Sequence, residues 1–563
     1  MQGGAYEGFG IHAGVRQGCP LSPLVYALAA ESLMDTIEMI CPQAYVRAYA
    51  DDTAVLLTDY FSQSRKLARV FSVFAEISNL HLNLKKSYII PLRVNRCSTI
   101  ERDMRRCEHP WTEMKIDTTC KYLGFYVGPG KSDKSWEGPI KKFRAAVNRW
   151  LDHPIGLQFG ARVYNVFAIF TLMYVAQLET PPGWVLQETR QALWKVAKGP
   201  YQWASEDDLW TLKEAYNFPL SFKNMEWSAI AAKIRVHHND EGCLPHCWCE
   251  LAERKLLRCV EHPEARHSAI AWKDWYGKAY LSNLGEARRS VDSICNTNNE
   301  NRGIEMLRKA RRKTPKPLTE DKTWRKEVQK AAYAMLLARH ANHPMNRIRH
   351  KLERWKLGSL THARYFAGNA LSALPARIAP RVNHNLKLLG KFCPPCVQAA
   401  CISLVWNRWC TNWRFQKHSG HECLLGCGQS NGDRVEHYAV CQVTKQTCRQ
   451  KLNLDDEKFA SLPGLTLAHP EIKDQETLVT IALLTYGIYK VTNARRKDNT
   501  IPTTDSMRAI LQAVHYGVRG HTVSTKIFDN RWADNTRNKD LPVRDHIPWD
   551  PMTTRMRTIL RRH

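Results

Sequence analysis

Two adjacent acidic residues, Asp51 and Asp52, stand between two short runs of small or β-forming residues in the segment 47–57. This pattern is typical of a β-hairpin that presents carboxylates at its turn. Adjacent carboxylates repel each other unless a cation lies between them. Mg²⁺ prefers oxygen ligands, and two such ions can stabilise the attacking and leaving oxygens of a phosphoryl transfer. The pair therefore predicts a metal-dependent phosphoryl-transfer site, with an exposed Asp-Asp turn as the alternative.

A second motif precedes this pair by about thirty residues and covers residues 14–23, Gly-Val-Arg-Gln-Gly-Cys-Pro-Leu-Ser-Pro. Its glycines and prolines predict a special turn that leads into an apolar helix over 24–40, and a helix N-terminus favours anions. Leu24, Leu28 and Leu33 are the core candidates of that helix. A further helix with apolar spacing is predicted around Leu67, Val70, Phe71, Phe74 and Ile77.

Together these motifs resemble those of reverse transcriptases, in the variant found in non-LTR (LINE-type) retrotransposons. The loop at 14–23 looks like motif B, and Tyr49-Ala50-Asp51-Asp52 looks like motif C. The resemblance implies a partial right-hand polymerase palm of α/β class. It assigns catalysis and Mg²⁺ or Mn²⁺ binding to Asp51 and Asp52. It assigns contacts with the nucleotide and template to Arg16, Gln17, Gly18 and Tyr49.

The later motifs of the family follow in the same order. The segment 78–87 resembles motif D, with Asn79 where the family usually has glycine, and Asn also tolerates a positive φ. Lys86 matches the family lysine credited with aiding proton transfer or binding pyrophosphate, although an ordinary solvated lysine is the alternative. Tyr122-Leu123-Gly124 resembles motif E, the primer grip, and the helices after it would form the thumb.

One element of the family's active site has no counterpart here. The family takes a third carboxylate from motif A, upstream of motif B, whereas only thirteen residues precede Gly14 and Glu7 is the single acid among them. The fingers are also missing. We therefore expect either a start further upstream or a truncated element copy, with little polymerase activity in the isolated chain.

A separate set of residues, Cys423, Cys427, His437 and Cys441, has the spacing of a metal site. Three thiolates and an imidazole suit tetrahedral structural Zn²⁺, and Gly426 and Gly428 permit the tight turn that such sites need. LINE-type proteins often carry a CCHC element downstream of the polymerase. Buried thiols are the alternative, and His421 and Cys448 are substitute ligands. Two other cysteine groups are interpreted as core or incidental thiols: Cys393, Cys396, Cys401 and Cys410, and Cys243, His246, Cys247 and Cys249.

Composition agrees with a nucleic-acid-binding protein. The 563 residues carry 82 Lys and Arg against 54 Asp and Glu, a formal net charge of +28, and 44% are hydrophobic. Such a surplus points to a polyanion, with a basic solvated surface as the alternative. The absence of an apolar leader at the N-terminus predicts reduced thiols among the 18 cysteines. The longest apolar stretch, 163–178, predicts a core helix and no membrane span.

Five regions are predicted along the chain: a partial palm at 1–130, a helical thumb-like region at 131–240, a basic helical connector at 241–415, a zinc-knuckle-like module at 416–450, and helices with a basic tail at 451–563. Within the connector, residues 302–356 hold 17 Lys and Arg against 5 Asp and Glu, a net +12. Trp324, Tyr333 and Trp355 lie among these cations, where they could stack on unpaired bases or face a core.

The function predicted from these features is RNA-directed DNA synthesis by a LINE-type retrotransposon protein, with an RNA template and a DNA primer or target as partners. A retroelement protein of this kind is expected inside the cell, plausibly in the nucleus. The alternative is a catalytically dead, nucleic-acid-binding remnant of such an element, which keeps the palm, thumb and zinc knuckle.

Overall fold

The fold is described from a computed structural model. It covers residues 20–92, 96–236 without 152, 154, 201 and 202, parts of 329–357, 374–416 and 422–531. The chain divides into two compact units, Met1–Gly138 and Pro139–His563. The described residues are mostly helical, with three two-stranded sheets in the first unit. This confirms the predicted helical character for the described residues beyond the first 130.

The first unit combines short strands with three helices and the start of a fourth. Its helices are α1 (Ser22–Ile40), α2 (Tyr60–Ser78), α3 (Cys97–Arg106) and α4 (Lys134–Leu151), which continues into the second unit. Its strands are β1 (Tyr45–Tyr49), β2 (Asp52–Leu56), β3 (Tyr88–Ile89), β4 (Lys115–Ile116), β5 (Cys120–Tyr122) and β6 (Phe125–Val127). The pairs β1–β2 and β5–β6 are antiparallel, and β3–β4 is parallel.

The core of the first unit lies between α1, α2, α3 and the β1–β2 hairpin. It is built from Leu33, Ile37, Val46, Leu67, Val70, Ile100, Met104 and Trp111, among others. Of the core candidates in α1, Leu33 is buried, whereas Leu24 and Leu28 are 58% and 62% exposed, so that prediction is wrong for these two. Ile77 of α2 is also exposed, at 82%. Helix α1 is apolar on several faces, and only one of them packs inward.

The second unit is built almost entirely of helices in its described parts. Its first helices are α5 (Gly156–Val163), α6 (Phe170–Ala176), α7 (Gly183–Ala197), α8 (Glu206–Trp210), α9 (Leu212–Tyr216) and α10 (Met225–Val236). The described helices from residue 344 onwards are α11 (Pro344–Glu353), α12 (Leu374–Phe392), α13 (Pro395–Val405), α14 (Val435–Val440), α15 (Gln442–Gln446), α16 (Asp456–Phe459) and α17 (Leu462–Leu465). The last three are α18 (Gln475–Lys497), α19 (Ser506–Val518) and α20 (Thr522–Arg531).

Helix α18 forms the centre of the C-terminal part of this unit. The side chain of Asp474 caps its first turn by accepting a hydrogen bond from the Thr477 amide at 2.7 Å. The helix is buried around most of its circumference, as expected for a core helix, and packs against α13 and α19. A Cβ at Gly487 would lie 2.7 Å from Ile510 Cγ2, so glycine permits the close approach of α19.

The predicted core helix at 163–178 is bent in the structure. A π-helical turn, Tyr164–Ala168, separates α5 from α6, and Ile169, Leu172, Val175 and Ala176 are buried. Within the described ranges, no single helix is long and apolar enough to cross a membrane. The bent pair Gly156–Ala168 and Phe170–Ala176 has the required length and apolarity only when its two halves are counted together.

A buried ion cluster joins two helices of the second unit that lie far apart in the sequence. Asp208, which is 1% exposed, lies 2.8 Å from Arg347 Nε and 3.3 Å from Lys351 Nζ. Lys351 Nζ also donates to the carbonyl of Trp203 at 3.0 Å. Since an isolated buried carboxylate is costly, the two cations of α11 fix this helix against α8.

Candidate functional site

The β1–β2 hairpin brings Asp51 and Asp52 to one turn. Tyr49 pairs with Asp52, so Ala50 and Asp51 form a two-residue loop and Asp52 begins β2. Ala50 has φ +51°, a conformation that L side chains rarely adopt and that hairpin loops of this length require. Both carboxylates are exposed. The predicted local geometry, adjacent carboxylates at a hairpin turn, is therefore present.

The negative charge of this carboxylate pair contributes to raised pKa values of two tyrosines. Partial burial raises the pKa of Tyr26 in α1, and the Asp51 carboxylate raises it further. Burial likewise raises the pKa of Tyr122 in β5, with a further contribution from Asp52. Asp51 therefore acts electrostatically on α1 and Asp52 on the Tyr122 hairpin. A divalent cation with free positions for phosphate oxygens would offset the charge of the two acids.

The segment that resembles motif D has the turn expected of it. Asn79 ends α2 in the left-handed conformation, with φ +57°. Lys86 closes a short 3₁₀ turn, Leu84–Lys86, whose Lys86 amide donates to the Asn83 side chain. The Lys86 side chain is exposed. This exposure fits both the catalytic assignment and the solvated-lysine alternative.

The primer-grip motif forms a second tight hairpin. Tyr122 pairs with Phe125, which leaves Leu123 and Gly124 as a two-residue loop with φ of +47° and +88°. Positive φ at both loop positions is the hairpin geometry that matches the twist of the flanking strands. Tyr49, assigned to nucleotide contacts, is 70% exposed on β1. Arg16, Gln17 and Gly18 lie outside the described residues.

The second candidate centre is the cluster of Cys423, Cys427, His437 and Cys441, called here the CCHC cluster. Their ligand atoms all lie within 4.8 Å of one another. Cys423 Sγ is 3.8 Å from Cys441 Sγ, and Cys427 Sγ is 3.2 Å from His437 Nε2. A tetrahedral Zn²⁺ with Zn–S bonds of ~2.3 Å separates its sulfurs by about 3.8 Å, so the donor set fits this ion. The convergence predicted from the spacing is confirmed.

Two turns and a helix position the ligands of the CCHC cluster. Gly426 and Gly428 flank Cys427 with φ of +78° and +81°, values that disfavour other residues. His437 is on α14, and Cys441 follows the last residue of that helix. Arg495 of α18 donates a hydrogen bond to the carbonyl of Leu424 at 2.7 Å, which attaches the first ligand loop to the helical core.

The thiols of the cluster influence one another. The hydrogen bond with Cys441 lowers the pKa of Cys423 to about 4, and the same interaction raises the pKa of Cys441. Thiolate is the form that binds metal. Cys448, a substitute ligand by sequence position, is buried outside the cluster, where burial raises its pKa to about 12. His421 lies outside the described residues.

Other predicted features have structural roles or lie outside the described residues. Cys393 and Cys401 are buried in the core, as interpreted from the sequence, while Cys243, His246, Cys247, Cys249 and Trp324 are outside the described ranges. Trp355 is 5% exposed and donates to the carbonyl of Val405 at 2.9 Å. Tyr333 packs against Trp227, with ring centroids 6.3 Å apart. These two aromatics face the core and are not free to stack on bases.

Sequence reasoning missed Tyr26, Asp433 and Arg495. Tyr26 sits one turn into the helix that follows the motif B loop, so its position after that loop was the available signal. Asp433, between the ligands Cys427 and His437, and Arg495, on α18, are not ligands but attach the CCHC cluster to the helical core. No local pattern links Arg495 to Leu424, which is 71 residues away.

Comparison with known proteins agrees with the geometry of the first unit. Residues 1–127 match the family described as reverse transcriptase (RNA-dependent DNA polymerase). The N-terminal segment is therefore similar to reverse transcriptase domains, and both aspartates and the two tight hairpins lie within the matched range. No solved structure matches the chain.

Proposed function

We propose that this chain is the reverse transcriptase protein, or part of it, of a LINE-type retrotransposon, and that it acts as an RNA-directed DNA polymerase. The observation that carries the proposal is the hairpin that holds Asp51 and Asp52 at its turn within a segment matching reverse transcriptases. The partners implied are an RNA template and a DNA primer or target. The motif B loop has the LINE-type form, which supports this class of element.

In this proposal Asp51 is the direct metal ligand, and Asp52 at the start of β2 assists it. Bound Mg²⁺ or Mn²⁺ would stabilise the attacking primer oxygen and the leaving pyrophosphate oxygen. Tyr122 of the primer-grip hairpin would hold the primer end close to Asp52, consistent with the effect of this carboxylate on its pKa. Lys86 would assist at the pyrophosphate, and Arg16, Gln17, Gly18 and Tyr49 would contact nucleotide and template.

A third carboxylate is implied by the family resemblance. Among the described residues, no third acid joins Asp51 and Asp52 in a metal-ligand group. In the reverse transcriptases that the chain resembles, this carboxylate comes from motif A, which precedes motif B. We also propose that the chain is divided into five regions: the palm at 1–130, thumb-like helices at 131–240, a basic connector at 241–415, a zinc module at 416–450 and a C-terminal region at 451–563. The thumb-like helices would track the duplex backbone.

Primer extension on an RNA template tests this proposal. The protein is produced as its gene encodes it, and activity is measured with Mg²⁺ and with Mn²⁺. Asp51→Ala should abolish extension, whereas Asp35→Ala, an exposed acid on α1, should leave it unchanged. Extension that persists in Asp51→Ala overturns the catalytic assignment. Tight template binding without extension in the wild-type protein would favour the catalytically dead remnant.

A further inference from the structure

Two large aromatic side chains are exposed on the turn that precedes the CCHC cluster. Trp413 is 50% exposed and Phe415 is 48% exposed. Both lie on the turn at 412–416, two positions apart. Singly exposed apolar residues are common, whereas neighbouring exposed aromatic rings form a larger apolar patch of the kind that is enriched at interaction sites.

The backbone of this turn is fixed by buried groups. The amide of Asn412 donates to Asp433 Oδ2 at 2.7 Å, and the amide of Trp413 donates to the Asp433 carbonyl at 3.3 Å. The amide of Phe415 donates to the Thr411 carbonyl at 3.3 Å. Asp433 is itself buried and accepts a hydrogen bond from the Tyr438 hydroxyl at 2.6 Å. A ligand that binds these rings therefore does not have to order the turn first.

A positive charge accompanies the larger ring. The guanidinium carbon of Arg434 lies 5.5 Å from the centroid of the Trp413 ring, at cation–π distance. Arg434 Nε is buried and makes no hydrogen bond to the described residues. Arg434 follows Asp433 directly, so the residue that fixes the turn also places the cation beside the ring.

We propose that Trp413, Phe415 and Arg434 form a stacking site for an unpaired nucleobase of a single-stranded nucleic acid. Flat aromatic faces bind bases of any identity, and an adjacent guanidinium adds a favourable interaction with the base or its phosphate. The strongly basic character of the chain, with net charge +28, favours a polyanion over an apolar protein partner. The inference deepens the proposed function, because it assigns to the second unit a contact with unpaired template.

The test measures binding of the full chain to three labelled probes of equal length: a single-stranded oligoribonucleotide, the same strand with abasic sites in place of bases, and a blunt RNA duplex. A single-stranded DNA of the same sequence separates RNA from DNA as the source of the base. Trp413→Ala should weaken binding of the single strand by about 5- to 100-fold, the loss expected when one base no longer stacks. Binding of the abasic strand and of the duplex should stay within about two-fold of wild type. The salt dependence should not change, because the substitution removes no cation that could neutralise a phosphate.

Two control variants separate stacking from damage to the fold. Trp413→Phe should keep most of the affinity, since it retains an aromatic face. Tyr516→Ala, which removes another aromatic side chain with 48% exposure from the same unit, should bind all probes as the wild type does. Zinc content and the thermal unfolding midpoint are compared for each variant.

If Trp413→Ala lowers the affinity for all probes equally, the stacking site is overturned. It is also overturned if the variant binds the single strand as tightly as the wild type does. In both cases binding by the wild type leaves the proposed function standing. A wild-type chain that binds none of the probes overturns the proposed function and the stacking site together.

Discussion

Arg496 and Asp433 form a buried ion pair in which Arg496 Nη2 lies 2.6 Å from Asp433 Oδ1. The Asp433 side chain is 0% exposed and that of Arg496 13%. Burial alone would lower the pKa of Arg496, but the hydrogen bond and charge of Asp433 outweigh burial and raise it. The pair joins the C-terminal end of α18 to the segment between Cys427 and His437. It therefore attaches the CCHC cluster to the helical core.

Replacing Arg496 should destabilise the second unit strongly. Arg496→Leu leaves the Asp433 carboxylate buried without its cation, which costs about 3–5 kcal/mol. Urea denaturation followed by far-UV circular dichroism should show a lower midpoint for the variant. Arg349→Ala, which removes an exposed pair with Glu353, should cost less than about 1 kcal/mol. A loss as small as that in Arg496→Leu would contradict the importance given to this buried pair.

The CCHC cluster should bind about one zinc ion per chain. Metal analysis of the purified protein measures the stoichiometry, and X-ray absorption should give ~2.3 Å to sulfur and ~2.0–2.1 Å to nitrogen. Cys423→Ser should lose the ion because it removes a buried ligand. Cys410→Ser, at a free cysteine outside the cluster, should keep it. Full zinc occupancy in Cys423→Ser would show that the ion is bound elsewhere.

Chelation should also lower the stability of the second unit. Without the ion, the ligand loops lose the bonds that join them to one another and keep only their contacts with the helical core, such as the hydrogen bond from Arg495 to Leu424 and the ion pair of Asp433 with Arg496. The thermal unfolding midpoint should therefore fall on addition of a strong chelator and recover when zinc is returned in excess. An unchanged midpoint would mean that the cluster carries no structural metal.

The features that could be predicted from the sequence are those set by neighbouring residues. The Asp51–Asp52 turn, the left-handed Asn79 and the convergence of the CCHC ligands follow from local residue types and spacing. Helices are likewise predicted within 451–563, and the long helix there extends over Gln475–Lys497. Each of these elements uses glycine, asparagine, aspartate or apolar periodicity, whose conformational preferences act over a few residues.

The features that could not be predicted depend on distant partners. Asp433 and Arg496 are 63 residues apart, and Asp208 and Arg347 are still further apart in the sequence. In the basic segment 302–356, Arg347, Lys351 and Trp355 are buried by such long-range packing. Charge composition alone would assign the two cations to the surface. Leu24 and Leu28 show the converse case, because an apolar helix face is buried only where another element covers it.

His469 should make the stability of the second unit depend on pH. It is 3% exposed, and its Nδ1 accepts a hydrogen bond from the Glu471 amide at 3.2 Å. Burial of the imidazole is the main cause that lowers the pKa of His469 below its ordinary value. The folded state therefore holds the neutral ring, so its contribution to stability is present above the unfolded pKa of about 6.5 and is lost as pH falls below it.

Thermal unfolding between pH 7.5 and 5.5 checks this sign. The wild-type midpoint should fall as the pH decreases, and His469→Gln should show a smaller decrease because its side chain does not titrate. His515→Gln, at an exposed histidine of α19, should follow the wild type. A decrease of the same size in His469→Gln and wild type would contradict the prediction.

The basic segment 302–356 should supply much of the salt-dependent affinity for nucleic acid. Five of its cations, Arg308, Lys309, Arg311, Arg312 and Lys313, lie outside the described residues and are replaced together by Ala. If they neutralise phosphates, the log–log slope of affinity against salt should flatten by about 0.7 to 0.9 for each phosphate that the variant no longer neutralises, with equal weakening for all sequences. Fluorescence anisotropy at several salt concentrations measures the slope.

The structure sharpens that experiment by supplying a matched comparison. Arg347 and Lys351 belong to the same segment but are committed to Asp208, whereas the side chain of Arg349 is 55% exposed. Counterions are released only by cations that reach phosphate, so any contribution from α11 should come from its exposed residues. The five-fold Ala variant should therefore change the slope more than Arg349→Ala does. An unchanged slope in the five-fold variant would mean that 302–356 acts as a solvated connector, and that phosphate contacts are made elsewhere on the chain.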